Sequence, residues 1–193
     1  AGLRTGNLKS PWPEEANRKL VSTLASFHFA PTVLAKKNLI SEGVEKGRIF
    51  VVGNTVVDAL FLALKKIELS PAIRAEIESR FSMLSTNRKI VLITGHRREN
   101  FGDGLLEICA AIRQLANLFD NVDFVFPVHL NPNVRSIVHS RLGDLNNVLL
   151  VQPLEYLPFV YLMSKCEIIL TDSGGIQEEA PSLGKPVLLM RET

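Results

Sequence analysis

Ile168-Ile169-Leu170-Thr171-Asp172-Ser173-Gly174-Gly175-Ile176-Gln177-Glu178-Glu179-Ala180-Pro181 is the stretch on which the reading of the whole chain turns. The apolar run at 168–170 stops at a small polar loop with two glycines, and a short helical pattern follows. Strand, loop and helix start in this order suit an anion. Gly174 and Gly175 let a ligand approach the backbone, Ser173 adds a hydroxyl, and the new helix offers unpaired N–H groups and the positive end of its dipole. Glu179 lies four residues after Gly175 and so shares a face with the helix start. A carboxylate suits ligand hydroxyls better than phosphate. Phosphate at the helix start and hydroxyls one turn along describe a nucleotide with its ribose. Glu178 points elsewhere and is expected to be solvated or structural. The same residues also fit an ordinary βα turn with a capped helix and no ligand.

Strands alternate with helices from Lys89 onward. Residues 90–94, 124–128, 148–151, 168–170 and 187–189 read as strands, and 104–119, 132–141, 157–164 and 175–183 as helices. Near-continuous apolar strands between helices imply a parallel sheet covered on both faces. Ligands of such sheets bind beyond the carboxyl ends of the strands. That rule nominates Thr94-Gly95-His96, His129-Leu130-Asn131, Gln152-Pro153 and the loop at 171–175. Upstream, Ser10-Pro11-Trp12-Pro13-Glu14-Glu15 reads as a helix start, with Ala16, Leu20 and Leu24 at helical spacing. An extended piece at 27–30, a helix at 32–41 closed by Gly43, and a strand at 48–53 follow. Helices then run from Asn54-Thr55 to about Lys66 and from Pro71 to near Phe81. This pattern places a boundary at 53/54: a tail of one α/β domain at 1–53 and a second, Rossmann-like domain at 54–193.

A chain of 193 residues holds one large domain, or one and part of another. Its net charge is only +2, with basic residues scattered, so no nucleic-acid stripe is present. No apolar run approaches the roughly 20 residues of a membrane helix, and no signal peptide opens the chain. Cys109 and Cys166 lack metal-ligand spacing and read as reduced core residues of a cytoplasmic protein, a disulfide being the alternative. The chain opens at Ala1 without Met and closes directly after a strand-like run at 186–190. A piece of a longer protein is the expectation.

Several other residues could carry chemistry. His96, just after the first strong strand, is placed to donate to a phosphate oxygen, or to cap a loop carbonyl. Arg97 and Arg98 suit phosphate, a salt bridge with Glu99, or solvent. His129 follows a strand too and carries the same positional argument with less local support. Phe159, after Pro158, suits either a flat base or the core. Glu14 and Glu15 are first-turn helix charges, or carboxylates facing a cleft. Arg18 lies one turn beyond Glu14, within reach of it or of a ligand.

Five motifs now stand in one order: Ser10-Pro11-Trp12-Pro13-Glu14-Glu15-Ala16-Asn17-Arg18, Gly53-Asn54-Thr55, Thr94-Gly95-His96-Arg97-Arg98-Glu99-Asn100, Pro127-Val128-His129-Leu130-Asn131-Pro132, and Thr171 through Pro181. Together they resemble the non-hydrolysing UDP-N-acetylglucosamine 2-epimerases of bacteria, over essentially the whole chain. The resemblance implies a glycosyltransferase-B-like α/β architecture of two Rossmann-like domains facing across a cleft. It implies reversible C2 epimerisation of UDP-N-acetylglucosamine to UDP-N-acetylmannosamine through a 2-acetamidoglucal, with UDP leaving and re-adding. No nicotinamide cofactor and no metal are implied. A cytoplasmic homodimer without nucleic-acid or membrane partners is expected, its product feeding cell-surface polysaccharide assembly.

By the same resemblance, Glu14 is one of the carboxylates near the sugar, with Arg18 beside it. His96 contacts the diphosphate. Ser173, Gly174 and Gly175 hold phosphate, Glu179 takes the ribose hydroxyls, and Phe159 lies by the uracil. Arg97 and His129 match positions tied to an activator site for UDP-N-acetylglucosamine. The family also uses residues before Ala1, among them a glutamate directly preceding it, and a C-terminal segment after Thr193. These residues alone are therefore expected to bind UDP weakly and catalyse little or nothing. The rival readings are a UDP-sugar glycosyltransferase or hydrolysing epimerase of the same architecture, and a nucleotide-binding module without catalysis.

Overall fold

The computed structural model describes residues 1–84, 87–95 and 103–190. They form two compact units, Ala1–Asp58 and a second beginning at Ala59.

The first unit contains α1 (Glu14–Leu24), β1 (His28–Ala30), α2 (Val33–Ser41), a 3-10 turn at Lys46–Arg48 and β2 (Ile49–Val51). β1 and β2 pair in parallel, His28 opposite Ile49. α2 starts where the Thr32 side chain accepts the Ala35 N–H at 3.1 Å. It ends where Gly43 turns left-handed at φ +87°, and the Val44 N–H closes back on the Leu39 carbonyl at 3.0 Å. The core here is small: Ala30, Ala35, Leu39 and Ile49. It does not extend to the face of α1 that the periodicity marked as apolar. Leu20 and Leu24 are 65% and 85% exposed, and the buried residue of α1 is Glu15. Two three-residue strands and one helix offer too little apolar surface to cover α1 as well.

α3 (Thr55–Leu69) leads into the second unit, so its first turn precedes the boundary between units. α4 (Pro71–Arg80), β3 (Lys89–Thr94), α5 (Asp103–Leu118), β4 (Val122–Pro127), α6 (Pro132–Leu142), β5 (Val148–Val151), α7 (Tyr156–Lys165), β6 (Ile168–Thr171), α8 (Ile176–Ser182) and β7 (Val187–Leu189) follow. The strands form one parallel five-stranded sheet in the order β5-β4-β3-β6-β7. Side chains alternate between its faces, as strand geometry requires. Leu92, Val125 and Ile169 pack with Leu60, Ile67, Ile77 and Met163 on one side. Ile93, Phe124, Phe126 and Leu170 pack with Cys109, Ile112, Val138 and Leu142 on the other. Helices cover both faces, the α/β arrangement expected from the strand composition.

The chain moves outward from β3 to β4 and β5, then crosses back to lay β6 on the other side of β3. β3 and β6 therefore flank the switch point of the sheet, where open α/β folds bind ligands. Their last residues, Thr94 and Thr171, are register partners. Among the described residues, no helix is long and apolar enough to cross a membrane.

Candidate functional site

At the switch point the two strand ends are locked together. The hydroxyls of Thr94 and Thr171 lie 2.5 Å apart, and both residues are buried. The Ser173 N–H donates to Thr171 Oγ1 at 3.0 Å, and the Asp172 N–H donates to the Thr94 carbonyl at 3.1 Å. These bonds turn the chain sharply out of β6 and fix where Ser173 sits. Above them opens a cavity of about 210 Å³, lined by Thr94, Gly95, His129, Phe159, Ser173 and Ile176 with Pro127, Pro153 and Leu154. Four strand ends and the start of α7 and α8 thus converge on one hollow. Its walls combine apolar surface with a few polar groups, as small-ligand sites do.

Those residues singled out from sequence that the structure describes each have a definite place. Ser173 lines the cavity. Phe159 both lines it and packs against the core cluster of the α7 side, so the two readings of this ring are compatible. The exposed His129 lines it too. Its Nδ1 accepts the Asn131 N–H at 3.1 Å, which leaves Nε2 to act as a donor. Gly175 has helical torsions, φ −65° and ψ −42°, and no side chain caps α8 there. Neither Gly174 nor Gly175 takes a positive φ. What Gly175 supplies is space: among the described residues, a Cβ on it would meet only Ser173 Oγ, at 3.9 Å. His96 and Arg97 lie outside the described residues.

Glu179 is not on the cavity wall. It sits one turn along α8 from Ile176, which is, and it is only 8% exposed. Burial, and then the neighbouring Glu178 charge, raise its pKa above the usual glutamate range. The Tyr156 phenol beside it opposes that rise, and the same phenol is pushed up by burial and by Glu179. Tyr156 was missed in the sequence. Its signal was the three-residue spacing to Phe159, which sets both aromatics on one face of α7.

In the first unit, Glu14 is exposed at the first turn of α1. Arg18 does not pair with it. The partner is Glu15, whose Oε2 accepts from Arg18 Nη1 at 3.5 Å. Glu15, which the sequence allowed as a first-turn helix charge or a carboxylate facing a cleft, is completely buried. The helix winds Glu15 away from solvent while Glu14, one residue earlier, stays on the outer face. No group of three or more His, Cys, Asp or Glu placed to hold a metal occurs among the described residues.

A family profile described as UDP-N-acetylglucosamine 2-epimerase matches residues 1–193. The UDP-N-acetylglucosamine 2-epimerase of Yersinia pestis is 56% identical over all of this chain and 51% of its own length. The crystal structure of the Neisseria meningitidis UDP-GlcNAc 2-epimerase bound to UDP-GlcNAc matches with a TM-score of 0.93 at 55% identity, over all of this chain and 52% of that one. S. aureus MnaA in its UDP co-structure matches with a TM-score of 0.87 at 41% identity, over all of this chain and 50% of that one. This chain spans about half the length of the curated relatives it matches. The matching epimerase structures are glycosyltransferase-B-like, which agrees with parallel sheets flanked by helices in both units. With the profile matched over residues 1–193 and identity above one half, the chain belongs to the UDP-N-acetylglucosamine 2-epimerase family.

Proposed function

We propose that the protein carrying this chain interconverts UDP-N-acetylglucosamine and UDP-N-acetylmannosamine, and that the second unit holds the UDP leaving group. The observation that carries this reading is the meeting of Ser173 and Phe159 in one cavity at the β3/β6 switch point, with Glu179 one turn along α8. Phe159 offers a flat apolar face to uracil. Ser173, with the backbone at Gly174 and Gly175, takes phosphate oxygens. Glu179 accepts from the ribose hydroxyls, with Tyr156 on its other side. His96 then donates to the diphosphate.

In the first unit, Glu14 serves the proton at C2 and Arg18 the developing negative charge beside it. The C1–O bond breaks with its electron pair going to UDP, and the C2 proton passes to a carboxylate, leaving a C1=C2 double bond. UDP then re-adds at C1 while a proton returns to the opposite face of C2. Arg97 and His129 belong to the activator site in this reading. Residues 1–53 are the tail of the first domain and 54–193 the second. The protein works as a cytoplasmic homodimer, a setting compatible with the two buried free thiols, Cys109 and Cys166. Burial holds the Cys166 thiol up at about 11, so it stays protonated and inert.

Incubation of the full-length protein with UDP-N-acetylglucosamine in deuterated water tests the reading. The expected products are both epimers with deuterium at C2 and no accumulation of free UDP. Stoichiometric UDP with free sugar, or a glycosylated acceptor, contradicts it.

Binding of UDP carries a second test. Ribose recognition needs the ionised Glu179, whose pKa is raised by burial and by Glu178. Affinity is therefore full well above that raised value and is lost as pH falls through it, which happens at a higher pH than for an ordinary glutamate. UDP itself titrates nearby, so the Glu179→Gln variant is the control. Calorimetric affinity measured against pH is expected to lose one acidic arm in that variant. Identical profiles for both proteins exclude the ionised carboxylate from binding.

A further inference from the structure

Glu15 has no part in the roles assigned above, yet its carboxylate is completely buried. Two groups in the first unit meet it. The Gly6 N–H points at Oε1 from 3.3 Å, and Arg18 Nη1 donates to Oε2 at 3.5 Å. The residue also stands in the first turn of α1, where the helix dipole favours an anion. Gly6 lies at the bend of the segment leading into α1 and takes φ +77°, so Glu15 ties a left-handed turn to the helix.

Stability alone does not call for a charge here. A buried ion pair is often matched or bettered by apolar side chains of similar volume, because desolvation offsets the attraction. What the charge does provide is direction. The Arg18 side chain is 36% exposed, so its fork is held at one corner by Glu15 and open elsewhere. It faces a cavity of about 510 Å³ within the first unit, whose walls also include residues 1–4, Asn17 and Val21. Glu14 lies one turn before Arg18 on the same face of α1. An arginine pinned at one corner keeps its remaining donors aimed, whereas a free one is spread over many rotamers.

We infer that Glu15 is a positioning residue: its buried carboxylate fixes the Arg18 guanidinium and the Gly6 turn so that Arg18 acts with Glu14 on the sugar. This rests on the epimerase reading given above. Glu15 touches no substrate and works through Arg18.

The experiment uses the full-length protein and compares wild type, Glu15→Gln, Arg18→Ala and the double variant. Glu15→Gln keeps the shape and an acceptor but removes the charge that holds Arg18. It is expected to lower kcat by about tenfold or more while KM and UDP affinity stay within about twofold, since orientation rather than uniform binding is lost. In the Arg18→Ala background the same replacement is expected to cost little further, because both changes remove one interaction. Turnover of Glu15→Gln within about twofold of wild type overturns the inference, as does a full additional loss on top of Arg18→Ala. Should the glutamine variant not fold, Glu15→Asp takes its place. That variant keeps the charge at a shorter reach, and lowered kcat at unchanged KM is again expected; unchanged kcat in the folded aspartate protein overturns the inference. The two levels fail separately. Wild type that does not epimerise at all contradicts the proposed reaction, whereas active wild type with indifferent Glu15 variants contradicts only the role of Glu15.

Discussion

Glu14→Gln, in the full-length protein, is expected to slow epimerisation by about 10²- to 10⁴-fold, the usual contribution of a positioned acid or base. UDP affinity should be unchanged, because the groups assigned to the nucleotide all lie in the second unit. The reasons are local. Glu14 is exposed at the first turn of α1, next to an arginine that Glu15 has already engaged, so its carboxylate is free to work on a ligand. Glutamine matches its size and can still accept a hydrogen bond, but cannot take the C2 proton. Solvent deuterium exchange at C2, followed by mass spectrometry, reports that step without dependence on product release. Exchange at the wild-type rate would remove Glu14 from proton transfer.

Phe126→Ala carries the largest expected effect on stability. Phe126 lies in β4, is completely buried, and packs among Ile93, Phe124, Val138 and Leu170 on the α5/α6 side of the sheet. Truncation removes the ring's transfer free energy and leaves a cavity in a layer held between strands and helices, at a cost of about 3–5 kcal/mol. The ring also underlies the site. Its Cζ would lie 3.8 Å from a Cβ on Gly95, the residue that follows Thr94 on the cavity wall. Weaker UDP binding should therefore accompany a lower urea midpoint. An unchanged midpoint would mean that this layer of the core does not bear the load its burial implies.

How far the chain could be read in advance follows from where the determining contacts lie. β3, β4 and β6 were legible because both faces of each strand are buried. Leu92 and Ile93, or Ile169 and Leu170, must be apolar together, and such runs stand out between helices. The Ser173-Gly174-Gly175 loop was legible as a strand-to-helix turn, because the apolar run at 168–170 stops at small residues before a helical pattern. The lock beneath it was not: Thr94 and Thr171 are 77 residues apart, and only the return of β6 to the side of β3 brings their hydroxyls together.

The burial of Glu15 was hidden for a similar reason. An acidic residue in a first helical turn reads as a solvated charge, and the Gly6 amide that claims it belongs to an irregular segment with no periodic signal. The helical spacing of Leu20 and Leu24 is borne out by α1, but both side chains are exposed. Their spacing marks an apolar face, but within the first unit nothing large enough covers it. The mutual influence of Tyr156 and Glu179 runs between two helices, so neither residue announces it alone.

The most direct test of the nucleotide site is a calorimetric titration of UDP into this chain, run beside the Glu179→Gln variant. Saturable binding is expected for the wild-type chain. The variant should be weaker by about ten- to a hundredfold, the size of a hydrogen bond to a charged group. Absence of binding to the wild-type chain, or equal affinity in the two proteins, would contradict the assignment of the β3/β6 crevice and Glu179 to the nucleotide.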